Sequence, residues 1–236
     1  MSFDTLLKLI PNYLFQLLQL VSDPRRYCLG QKLESKQALN QSLLFFISSV
    51  FFSYVVRVPF LSDATSYWEA ATVTALVYIP SAIVLGILAH ISCRVVGGKG
   101  ELTAHVTIFS YFSGVSVLLY ALFSMAAKGI IKAKLPAQFD LYLDYMDILF
   151  RNGPGLTDPR FSDLAESQEL LISMIILMVG FVLIVGWLVS IWRVYRDVDK
   201  FSTLRYSVSF ILFLIFGYGT SLGLGFAQTA ANVSLF

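Results

Sequence analysis

The residues best suited to chemistry lie in one stretch, HISCRVVGGKGELTAH, at positions 90 to 105. Gly97, Gly98, Lys99 and Gly100 have the glycines and the cation of a phosphate cradle. A P-loop, however, needs Gly, four residues, Gly-Lys and then Ser or Thr, entered from a strand. Here Gly100 follows Lys99, and apolar helical runs flank the stretch on both sides. It is therefore read as a tight turn, in which Gly97 and Gly98 end one helix and Gly100 helps reverse the chain. His90 and Cys93, three residues apart, share a helical face, and His105 lies just across the turn. Zinc takes such ligands but wants four of them, usually with a second paired motif. None is visible, so the expectation is a hydrogen-bonded structural histidine, with no metal, no cofactor and no catalytic residue.

Arg57 is the one full charge well inside an apolar run. A central arginine costs about 2.5–3.5 kcal/mol on insertion scales. Arg57 stands near the end of its run, so it is expected to reach the headgroups or to pair with Asp63 or Glu69. In the last apolar run, Gly219, Ser221, Gly223 and Gly225 form a small-residue row of the kind that lets helix backbones approach closely. That row suits packing within the chain or association between copies. Asn40 and Asn232 match the glycosylation pattern, but neither context favours its use.

The elements that must hold these residues follow from composition. Of 236 residues, 57% are hydrophobic and 14% charged, whereas a soluble domain carries about 25% charged residues. The net charge of +2 and the lack of a basic patch interleaved with aromatics give no footprint for nucleic acid. The expected fold class is an all-α integral membrane protein. Spans of about 20 apolar residues are predicted near 43–61, 71–93, 104–127, 170–192 and 206–228. They make a five-span domain over 41–236, behind a leader at 1–40.

Basic residues set the direction. Arg25 and Arg26 in the leader, Arg94 and Lys99 in the second loop, and Arg193, Arg196 and Lys200 in the fourth mark one side as cytoplasmic. The N-terminus is then inside and the C-terminus outside. The 128–169 loop falls outside despite its lysines, since long loops obey this rule loosely. Cys28 and Cys93 fall on the reducing side and are expected to stay unpaired.

Asp4, Lys8, Asn12, Gln16 and Gln19 recur at helical spacing and make the leader an amphipathic helix, suited to the membrane interface or to packing on the bundle. Pro11 is expected to kink it. Asp23 and Pro24 suit the cap and first turn of the next helix. In the 128–169 loop, Phe139, Tyr142, Leu143, Met146, Leu149 and Phe150 share one helical face, opposite Asp140, Asp144, Asp147 and Arg151. This short amphipathic helix is expected on the outer surface.

Three stretches carry a family likeness. CRVVGGKGELTAHVTIFSYFSGVSVLLYAL resembles the junction of spans two and three in the Yip (Ypt/Rab-interacting protein) domain family. WLVSIWRVYRDVDKFSTLRYSVSFILF is similar to its link between spans four and five, and DPRRYCLGQKLESKQALNQSLLFF to the lead-in to span one in its prokaryotic branch. The resemblance implies five spans, a cytoplasmic N-terminus and a bacterial inner membrane, with the ER or Golgi as the alternative. The function expected is a non-enzymatic scaffold or adaptor that meets lipids and protein partners, or a second copy of itself. A small channel or transporter for a lipid or small solute is the other class. It would need Ser48, Ser49, Ser53, Thr74, Tyr78, Ser81, Ser110, Ser113, Ser116 and Tyr218 to converge on a wet cavity.

Overall fold

A computed structural model describes the backbone of residues 3–60, 67–152 and 159–230, and the side chains of 11–60, 78–146, 148–149 and 159–219. Among these residues the chain is helical, without a strand. The helices are α1 (Phe3–Ser22), α2 (Pro24–Leu29), α3 (Lys36–Arg57), α4 (Tyr67–Val95), α5 (Leu102–Lys134), α6 (Phe139–Asn152), α7 (Ser162–Ala165), α8 (Gln168–Asp199) and α9 (Thr203–Ala230). Four of the described helical segments are long and apolar enough to cross a membrane: Lys36–Phe60, Tyr78–Val95, Leu102–Lys134 and Gln168–Asp199. The described part of α9, Thr203–Gly219, is apolar but shorter. Such helices satisfy their own backbone groups, which hydrocarbon requires. The outward face of α8 fits that setting, with Ile175, Met178, Phe181 and Val182 all exposed.

The third and fourth spans were expected to stop near residues 127 and 192. Both helices run on by about two turns, to Lys134 and Asp199. Nothing in KGIIKAK or RVYRDVD breaks a helix. The stops come from Pro136, just past the end of α5, and from Lys200, which ends α8 in the left-handed region at φ 54°. The extra turns of α8 carry Tyr195 and Asp199 into the site described below.

α5 is the hub, packed against α3, α4 and α8, while α9 rests on α4. Two glycines permit close approaches between helices. A Cβ on Gly114 would stand 2.6 Å from the Phe45 ring, and one on Gly180 of α8 would stand 2.7 Å from Phe123. The main core is aromatic: Phe109, Trp192, Tyr195, Phe210 and Phe213 stack around the ends of α5, α8 and α9.

Of the two placements weighed for the leader, the described half of α1 takes the bundle. Tyr13 is buried, stacks on Phe45 at 5.1 Å, and its hydroxyl meets Ser49 Oγ at 2.8 Å. Leu20 is fully buried too, while Leu14, Phe15 and Leu18 face outward. One edge therefore docks on protein, and a second apolar edge stays open. Asp23 caps α2 by accepting from the Arg26 amide at 2.9 Å. The loop helix α6 buries Phe139, Tyr142 and Met146 against α5 and α8, with the Tyr142 hydroxyl 2.9 Å from Ser173 Oγ. The Phe150, Asp147 and Arg151 side chains lie outside the described residues.

Candidate functional site

The turn between α4 and α5 is where the chemistry-bearing residues meet. Gly97 adopts φ +86°, the left-handed geometry a reversal needs and glycine takes without strain. Gly98 follows, with its amide bonded to the Cys93 carbonyl at 2.9 Å and its carbonyl accepting from Arg94 Nη1 at 3.2 Å. No room is left for a side chain there: a Cβ would stand 2.6 Å from Asp199 Oδ1 and 2.8 Å from the Cys93 carbonyl. Gly100 is equally enclosed, by His105 and Asp199. The segment is thus a turn. Its Gly100 amide is spent on a carboxylate of the same chain, at 2.6 Å from Asp199 Oδ1, and Lys99 points into solvent.

Asp199 is the residue that sequence reasoning missed. Its Oδ2 lies 2.8 Å from His105 Nε2, and both side chains are fully buried. His105 Nδ1 stands 2.8 Å from the Glu101 carbonyl, one helical turn back. A carbonyl only accepts, so Nδ1 carries a proton. His90 Nδ1, 3.2 Å from that same atom, is then an acceptor. A single proton is shared between His105 Nε2 and the carboxylate, so the pair is neutral as a unit. Tyr195, on the same side of α8 as Asp199, donates from its hydroxyl to the His105 carbonyl at 2.9 Å and stacks on the imidazole at 5.0 Å. The network joins the α4–α5 turn to the end of α8.

Cys93 completes the cluster. Its sulfur, a His105 nitrogen and an Asp199 oxygen all lie within 4.8 Å of one another. Sulfur, nitrogen and oxygen are donors that zinc accepts, and three protein ligands with an open position would make a reactive metal site. Against that use, both ring nitrogens of His105 and both oxygens of Asp199 already bond within the chain. The arrangement is a closed hydrogen-bond network. Of the three residues singled out in sequence, His90 and His105 touch, and Cys93 reaches the cluster through Asp199. The other cysteine, Cys28, is also buried and free. Desolvation pushes its thiol up to about 12, so it stays protonated and unreactive.

The basic residues expected on one side surround this site in differing ways. Arg25 forms a two-pronged bond to Asp197 at 2.7 and 3.1 Å, tying α2 to α8. Arg196 lies over the Tyr206 ring at 5.9 Å. Arg26, Arg94, Lys99, Arg193 and Lys200 are exposed. A groove of about 500 Å³ opens between the α2–α3 link, the start of α5 and the end of α8, lined in part by Lys32, Leu33, Glu34, Ala104 and Val198. Among the described residues, Gly219 on α9 meets nothing within 4 Å. The side chains at Ser221, Gly223 and Gly225 lie outside the described residues.

A signal for Asp199 did exist. It falls four residues after Tyr195 and seven after Trp192, so an acid shares the face of two buried aromatics.

The apolar helices define a membrane-embedded helical protein. No family model, curated protein or solved structure matches the chain.

Proposed function

We propose that the chain is a non-enzymatic integral membrane scaffold or adaptor of the Yip-domain type. It crosses five times, with the N-terminus in the cytoplasm and the C-terminus outside, in a bacterial inner membrane. Its working surface is the cytoplasmic end that holds the α4–α5 turn and the α8–α9 link. The observation that carries the reading is the division of labour there. The buried groups, His105, Asp199, Tyr195 and the Gly100 amide, are spent on one another, while Lys99, Arg193 and Lys200 stay exposed. A locked platform with a basic rim and a groove suits docking of an acidic partner protein, because rim charges steer encounter and set register.

The transporter reading needs polar groups turned into a shared cavity. Instead Ser49, Ser53 and Ser110 bond to carbonyls of their own helices, at 2.9, 2.8 and 2.8 Å. Ser49 also meets Tyr13. These hydroxyls act as packing glue.

The experiment places a photo-crosslinking residue at Lys99 and, separately, at Arg193 in native membranes. One discrete protein adduct from both positions is expected, weakened when the remaining rim cations are reversed in charge. Adducts to lipid or a small solute alone would sink the proposal.

A further inference from the structure

The end of the bundle away from the turn holds two cations without an ion-pair partner among the described residues. Arg57 closes α3 there. Its Nε donates to the Ser53 carbonyl at 3.2 Å, and its guanidinium lies over the Tyr78 ring at 5.9 Å. Its Nη2 is buried with no hydrogen-bond partner among the described residues. Lys128 of α5 is half-buried and close enough to Arg57 for the two charges to repel. Among the described residues neither has an ion-pair partner. Like charges held together away from bulk water are costly unless an anion joins them.

The sequence places Lys128 deliberately. Ser116, Tyr120, Ser124 and Lys128 recur at every fourth position of α5, which draws a polar row along one face of its second half. The Ser116 hydroxyl is likewise buried without a partner. Tyr120, in the middle of the row, lies beside Ser124 and within electrostatic reach of Arg57 and Tyr78. It is 40% exposed, so the row opens sideways, toward lipid, rather than into a closed cavity. Phe51 and Val55 of α3 are also exposed just before Arg57, an apolar surface along which acyl chains can lie.

We propose that Arg57 and Lys128, flanked by Tyr78 and Tyr120, form a binding site for the phosphate of an anionic phospholipid headgroup. The guanidinium offers a fork that matches phosphate oxygens, with Nη2 as its free prong, and Lys128 adds a point charge. Tyr120 supplies a hydroxyl at the lateral opening. The site is independent of the scaffold reading, since it uses none of the residues at the turn.

The full-length protein is tested by reconstitution into vesicles of mixed phosphatidylglycerol and phosphatidylcholine, extraction into detergent, and native mass spectrometry. Wild type is expected to retain one phosphatidylglycerol. Arg57→Gln and Lys128→Gln each lower its occupancy about tenfold, the effect of losing one charge-assisted hydrogen bond. Lys128→Arg restores it, which separates lost binding from lost folding. Lys132→Gln leaves it unchanged, because that ammonium already bonds the Pro59 carbonyl at 2.8 Å. Millimolar inorganic phosphate does not displace the lipid; displacement would assign the site to a soluble anion and overturn the lipid claim. Equal retention by wild type and the Arg57→Gln, Lys128→Gln double variant overturns it too. So does retention that appears only once Asp63 and Glu69 are neutralised, for those acids would then be the cations' own partners.

Discussion

At the turn, His105 and Asp199 are fully buried and each of their polar side-chain atoms meets another group of the chain. At the opposite end Arg57 keeps a buried nitrogen without a partner among the described residues, and Lys128 adds a like charge within electrostatic reach. Both ends take ionisable groups out of water, which is expensive in either place. One end offsets that cost internally, by pairing groups far apart in the chain. The other does not offset it among the described residues, which is what an outside anion would supply. A closed polar network rigidifies, whereas an open one is poised to bind. The difference assigns a structural task to the turn's interior and a recognition task to the Arg57 end.

The largest effect expected is at Asp199. Asp199→Ala strands His105 without its counter-group and should cost about 3–5 kcal/mol, measured by thermal unfolding in detergent. Adding His105→Ala should cost less than the sum of the two single losses, since the residues are coupled. Strict additivity would break the claim that the network is closed.

Next comes Gly98→Ala, whose new methyl collides with Asp199 and the Cys93 carbonyl and should cost about 1–3 kcal/mol by overpacking. Gly219→Ala is its counterpart. With nothing within 4 Å, the change should stabilise α9 by about 0.5–1 kcal/mol through lower backbone entropy in the unfolded chain. If both changes destabilise alike, Gly219 is packed after all; a loss that depends on protein concentration would place that packing against a second copy, and one that does not would place it within the chain.

Arg57→Leu sharpens the contrast by sign. In detergent free of anionic lipid, removing an unsatisfied buried group should be neutral or should raise stability, by up to about 1–3 kcal/mol. A fall as large as that at Asp199 would show that the Arg57 end is also satisfied from within. The smallest effect is at Arg25→Ala. Its bridge to Asp197 has a side chain 66% exposed, and such pairs contribute about 0–1 kcal/mol. A larger loss would mean that α2 is held to α8 chiefly through this contact.

Much of this was legible in the amino-acid order, for local reasons. Asp23 and Pro24 announce a helix start because capping and a fixed φ act within one turn. Gly97, Gly98 and Gly100 announce a reversal because glycine takes such positions without strain or collision. The alternation on α6 told which side would be buried. The partner of His105 was not legible, because Asp199 lies 94 residues away and was one of two acids in RVYRDVDK. Nor was the leader's choice between lipid and protein, since an apolar edge suits either. It was decided by Tyr13 finding Ser49 and Phe45 at the right distance. The reach of α5 and α8 past their apolar runs was missed because hydropathy marks where lipid ends, not where a helix must.

By itself, then, the sequence determined what depends on near neighbours and on length: which stretches are helical, which are apolar enough for a membrane, and where the chain turns back. Only the tertiary structure decided which ionisable groups meet. It joined Asp199 to His105 and brought Lys128 within electrostatic reach of Arg57. Charge pairing depends on distances across helices, and those are set by packing that the order of residues along one helix does not record.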